Sequence, residues 1–152
     1  MTVSMSTGLK QGLLASSGVD EQFLNCTIHF YQGAQPANAD AATTGTRVAQ
    51  ATIAGGAFVS GSATNGLNFG APVAGVLSKE VAENWTIKGI AAGTIGWFRI
   101  VGNAADNELA STTLPRLDGA CGINTGDMRL TTVTTTIGSI DTINTFTIAF
   151  AT

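Results

Sequence analysis

From Cys26 onward the apolar side chains recur with a period of two. Cys26-Thr27-Ile28-His29-Phe30-Tyr31 puts Ile28 and Phe30 on one face, and Glu83 to Lys88 sets Trp85 and Ile87 against Thr86 and Lys88. Near the C-terminus Phe146, Ile148 and Phe150 repeat the pattern. A β-strand sends successive side chains to opposite faces, whereas a helix needs a period near 3.6, so this stretch folds as strands. Gly55-Gly56, Asn65-Gly66 and Gly138-Ser139 punctuate it with turn chemistry. The spacing predicts strands at 26–31, 46–53, 57–60, 73–79, 83–88, 95–101, 113–120, 128–136 and 141–151. The expected class is all-β: an antiparallel β-sandwich or barrel, jelly-roll-like or immunoglobulin-like, of about eight strands. Trp97-Phe98-Arg99-Ile100-Val101 is apolar on both faces and is expected in the middle, between two layers. Arg99 in that run must reach solvent or meet a carboxylate.

Residues 1–25 follow another rule. Leu9 and Leu13 lie four apart with Leu14 beside them, which predicts a short helix over 7–16 ended by Gly18. Asp20 is expected to cap a second turn with Phe23 and Leu24 facing inward. The chain therefore divides into a helical arm, 1–25, and a β domain, 26–152. Such an arm either covers one edge of its own domain or docks on a neighbouring subunit through Leu9, Leu13, Leu14, Phe23 and Leu24.

Composition narrows the function. Seven Lys and Arg against ten Asp and Glu give a net charge of -3, with charged residues at 11%, against about 25% in an ordinary domain. No basic surface for nucleic acid follows from that balance. No run of about 18 apolar residues predicts a membrane helix, and Met1 to Gly18 lacks the pattern of a signal peptide. So few charges keep a lone molecule poorly soluble, and point to a surface occupied by a partner or by copies of itself.

Catalytic constellations are thin. His29 is the only histidine, is expected on a strand surface, and has no G-x-S-x-G elbow to serve. Cys26 and Cys121 match no metal spacing and are expected as two free, buried thiols. Asp106 and Glu108 share a loop without the ligand-rich calcium pattern. Gly89, Gly93 and Gly96 lack the following helix that a phosphate loop needs. Tyr31, Phe69 and Trp85 would make a sugar-binding platform if exposed, against the simpler expectation of core packing. No catalytic, metal or cofactor site is assigned.

Several segments carry a family likeness. They are Ile28 to Pro36, Ala39-Asp40-Ala41-Ala42, Gly66-Leu67-Asn68-Phe69, Gly93 to Arg99, Ser111 to Gly119 and Gly126-Asp127-Met128, with Met5 to Leu9 at the start. Together they resemble a family of small virion structural proteins of tailed bacteriophages and prophages. The resemblance implies a non-enzymatic virion component without cofactor, made in the bacterial cytoplasm. The leading expectation is a capsid decoration or cement protein, bound to the major capsid protein and to copies of itself as a trimer or hexamer. A tail or head-to-tail connector subunit is the alternative, and a carbohydrate-binding surface module a further one.

Overall fold

A computed structural model describes residues 3–15 and 17–149; Phe150 lies outside the described residues. The fold is all-β, with a large antiparallel sheet, a small second sheet and two short helices. In chain order the elements are β1 (Ser4–Met5), α1 (Thr7–Leu14), α2 (Val19–Gln22), β2 (Thr27–Gln32), β3 (Arg47–Ile53), β4 (Val76–Ser78), β5 (Trp85–Gly89), β6 (Gly93–Val101), β7 (Arg116–Gly122), β8 (Met128–Arg129), β9 (Thr134–Thr135), β10 (Ile140–Thr142) and β11 (Thr147–Ala149). The main sheet runs β1-β7-β6-β2-β3-β5-β10, and β4 pairs with β11 separately. β6 lies between β7 and β2, in the interior position its double-sided hydrophobicity required.

Register assigns the two faces. Ile28 opposes Ile100 and Ala51, and Phe30 opposes Phe98 and Ala49. Ile100 in turn opposes Leu117, and Ala51 opposes Ile87. Opposed residues of antiparallel strands share a face, so these side chains form one apolar layer. Phe23, Leu67, Phe69, Leu77, Ile143 and Phe146 close over it as the second layer. Phe146 meets Phe98 edge-on at 5.7 Å, and Phe69 meets Trp85 edge-on at 5.2 Å. Gly119 lies beneath the Phe98 ring, where an added Cβ would come within 2.6 Å of it.

The N-terminal segment is built into this architecture rather than protruding from it. β1 is hydrogen-bonded to β7. Ser6 caps α1 by accepting the Leu9 N–H at 3.1 Å, accepts the Arg116 N–H at 2.9 Å, and donates to the Leu114 carbonyl at 2.8 Å. Leu9 and Phe23 are fully buried in the chain's own core. Docking on a neighbour through them is therefore excluded while the fold is intact. Gly18, not Asp20, is the cap of α2, and the Glu21 carboxylate folds back on the Gly18 N–H. Leu24 faces outward, contrary to expectation.

Four expected strands differ. Residues 57–60 form no strand. The 73–79 strand shrinks to β4, because Val73 and Val76 bond reciprocally across Ala74 and Gly75, both at positive φ. That is the geometry of a two-residue hairpin turn. The 128–136 run breaks into β8, which pairs in parallel with β7, and β9, which pairs with β6. The last strand splits into β10 and β11 because the segment between them turns Ile143 and Phe146 into the core.

Candidate functional site

The second face of the main sheet is where the chain concentrates its polar chemistry. It carries the residues that alternate with the core set: His29 and Tyr31 on β2, Trp97 and Arg99 on β6, Arg116 and Asp118 on β7. His29 opposes Arg99, which opposes Asp118, and Tyr31 opposes Trp97. Two long connections cover this face, residues 33–46 and 102–115. They are stitched to each other: the Thr43 N–H donates to the Glu108 carbonyl and the Ser111 N–H to the Asp40 carbonyl. The result is a buried polar layer, roofed by loops.

Three ion pairs organise it. Arg99 Nε and Nη2 each donate to Asp118 at 2.7 Å, with both side chains fully buried, and Nη1 donates to the Ala41 carbonyl. Arg116 Nε and Nη2 each donate to Asp106 at 2.6 Å, again without exposure of the arginine. Two parallel N–H···O bonds are the geometry in which a guanidinium and a carboxylate best offset their desolvation. The third pair, Arg47 with Glu108 at 2.9 Å, is about one-third exposed. Loop 33–46 is tied to α1 as well, because Asp40 accepts from the Thr7 N–H and hydroxyl at 2.7 Å each. Burial pushes the Asp40 carboxyl up, but the two Thr7 bonds, with Lys10 and Arg116 nearby, outweigh it and hold it below the ordinary range.

His29 lies at the centre and is buried, which corrects the expectation of a surface histidine. The Tyr31 hydroxyl is 3.3 Å from its Nδ1, Arg47 Nη1 is 3.3 Å from both ring nitrogens, and Glu108 is 3.6 Å from Nδ1. Burial, followed by the Arg47 charge, lowers its pKa to about 3. Burial and the neighbouring Glu108 push the Tyr31 phenol up. The ring is neutral at neutral pH and shielded from any substrate. Tyr31 stacks on Trp97 at 4.3 Å between centroids, and Arg99 lies over the Trp97 ring at 5.6 Å.

The other sequence-derived residues scatter. Tyr31, Phe69 and Trp85 are buried, so the proposed sugar-binding platform does not form. Trp85 instead donates its indole N–H to Glu83 at 2.8 Å, and the same carboxylate binds the amide groups of Asn68. Of the suggested assembly contacts, Leu9 and Phe23 are core, Leu13 packs against the core while partly exposed, and only Leu14 and Leu24 face solvent. Cys26 and Cys121 are free thiols, and burial pushes both well up, away from nucleophilic use. Among the described residues, no three His, Cys, Asp or Glu side chains converge as a metal site, and no helix is long and apolar enough to cross a membrane.

Arg99 was expected to reach solvent or to meet a carboxylate; it meets Asp118, a partner the sequence did not identify. The signal was the pair Arg116 and Asp118, two apart in one strand and so on one face. Arg47 and Glu108 gave no comparable signal, because both act across loops. At the seam of the two covering loops, Asn38, Asp40, Ala41 and 110–113 line an open depression of about 580 Å³ rich in hydroxyl groups. Comparison of the chain with protein-family models, with curated proteins and with solved structures returns no match.

Proposed function

We propose that this chain is a non-enzymatic structural component of a bacteriophage particle, a decoration or cement protein that covers and ties together the shell. The observation that carries this reading is the disposition of charge. Of seven Lys and Arg and ten Asp and Glu, two of each are withdrawn completely into the Arg99–Asp118 and Arg116–Asp106 pairs. The outer surface is left sparsely charged while Leu14, Val73, Val81 and Ile137 stand 72–92% exposed. A sparsely charged, partly apolar exterior suits a molecule that ends up covered by a preformed surface and by its own copies. The one histidine, buried and neutral, offers no general base to a substrate.

The test is copy number in purified particles, by quantitative mass spectrometry against the major shell protein. A ratio near one to one, or one per small cluster of shell subunits, is expected. Six or twelve copies per particle would move the protein to the neck or tail, as closed symmetry dictates there. Absence from particles would overturn the virion reading altogether.

A further inference from the structure

The covering loops are fastened over an imidazole, a group that in open water takes up a proton between neutral and mildly acidic pH. His29 is approached from every side by residues that are already committed. On its own strand stands Tyr31. From β3 comes Arg47, from β6 Arg99, and from the 102–115 loop Asp106 and Glu108. Each charge has a partner: Arg47 holds Glu108, Arg99 holds Asp118, and Arg116 holds Asp106. A proton added to the ring would therefore be a buried charge beside two guanidinium groups, and the nearest carboxylate, Glu108 at 3.6 Å, is already held more closely by Arg47. Such a charge is expelled rather than tolerated.

Against the ring lies the turn that carries Asp106, Glu108 and the exposed Leu109, with the Glu108 side chain about one-third open to water. Glu108 adopts φ +66° there, in the left-handed region that a residue with a Cβ rarely occupies. Asp106 is anchored by its two bonds to buried Arg116, and Glu108 is held in this form by three fastenings of its own. Its carboxylate binds Arg47, its carbonyl accepts from Thr43, and its N–H donates to Asp106. Strain in a loop with a partly exposed ion pair places it at the low end of local stability, beside a sheet whose buried pairs hold firm.

We propose that His29 is an acid-operated catch: protonation of its ring lifts the 107–109 turn away from Asp106, which stays with Arg116, and bares the second face of the sheet at Tyr31. The closed form requires a neutral ring, and the open form lets the ring take up a proton at its ordinary affinity. Opening therefore becomes more favourable as pH falls below the free histidine value. This inference does not depend on the shell reading.

Thr43 reports on the catch directly, because its N–H is bonded to the Glu108 carbonyl. The experiment is NMR-detected hydrogen exchange on the full chain, with intrinsic rates corrected for pH. With an open-state histidine near 6.5 and the closed one far lower, the opening constant is expected to rise about 25-fold between pH 7 and pH 5. Protection at Thr43 falls by that factor through an opening that urea barely promotes and that lies well below the free energy at which the Phe98 and Ile100 amides of β6 exchange by global unfolding. In His29→Gln the Thr43 response is expected to stay within about twofold, since no proton is taken up. An unchanged Thr43 in the natural protein would overturn the proposal. So would an equal loss in His29→Gln, which would assign the effect to Glu108, or a Thr43 opening with the same free energy and urea dependence as Phe98, which would mean that only global unfolding exposes the ring. If the variant does not fold, the imidazole titration of the natural protein decides, since its histidine is unique. A ring that titrates above pH 6 with the Thr43 bond intact refutes the catch.

Discussion

Replacing Asp118 by Asn tests the central claim about the buried layer. The substitution preserves shape and leaves an acceptor oxygen for Arg99, but removes the charge and one of the two bonds to Nε and Nη2. Arg99 is fully buried, and its other hydrogen bond goes to the neutral Ala41 carbonyl. A guanidinium stranded in this way costs about 3–5 kcal/mol. For a chain of this size each kcal/mol moves Tm by roughly 2–4 °C, so Tm should fall by about 6–20 °C. The double replacement Arg99→Met with Asp118→Leu removes both charges and keeps apolar volume, and should recover most of the loss. Urea unfolding followed by circular dichroism, with m values compared, gives the free energies. A loss below about 1 kcal/mol for Asp118→Asn would refute the reasoning, because it would mean that water reaches Arg99. A double variant less stable than the single one would refute the view that charge, rather than shape, is at stake.

Other outcomes follow from the same geometry. Leu9→Ala should cost about 2–5 kcal/mol by chemical denaturation, since the side chain is fully buried; a loss under 1 kcal/mol would restore the picture of a detachable arm. Leu14→Asp with Leu24→Asp should leave stability within about 0.5 kcal/mol yet lower occupancy on particles; full occupancy would remove these two side chains from the assembly surface. The His29 pKa near 3 lies below its unfolded value, so the unfolded chain binds the extra proton and stability falls as pH drops from about 6.5 towards 3. Between pH 7 and 5 that loss is about 2 kcal/mol, and His29→Gln should abolish it in pH-resolved denaturation.

How much of this was legible beforehand depended on range. The alternation in 26–31 and the double-sided apolar run in 95–101 located β2 and β6 because each strand is long. Arg99 could be identified as needing a partner because a lone charge in an apolar strand has few outcomes. The short strands β8, β9, β10 and β11 were merged into longer ones, since Thr-rich sequence has β propensity whether or not it pairs. The aromatic set was undecidable by pattern: Tyr31 and Trp97 lie on the face away from the core, yet loops bury them. His29 was misplaced for the same reason. Period two assigns a side chain to a face, but loops 33–46 and 102–115 determine whether that face meets water, and their path follows from contacts such as Thr43 to Glu108 that span some sixty-five residues of sequence.

The Ser6 cap has a consequence for how the molecule comes into being. The hydroxyl that starts α1 is bonded to groups 108 and 110 residues further along the chain, and among the described residues β1 pairs only with β7. Synthesis at about 5–20 residues per second leaves the N-terminal segment without its partner for roughly 5–20 s. Throughout that interval Leu9 lacks the sheet that buries it. The β2–β6 pairing, about seventy residues apart in sequence, must also wait. Non-local pairings of this kind close slowly even after the chain is complete. Residues 4–9 are thus locked long after they are made, and the nascent chain must keep an apolar helix out of trouble until residue 116 has left the ribosome.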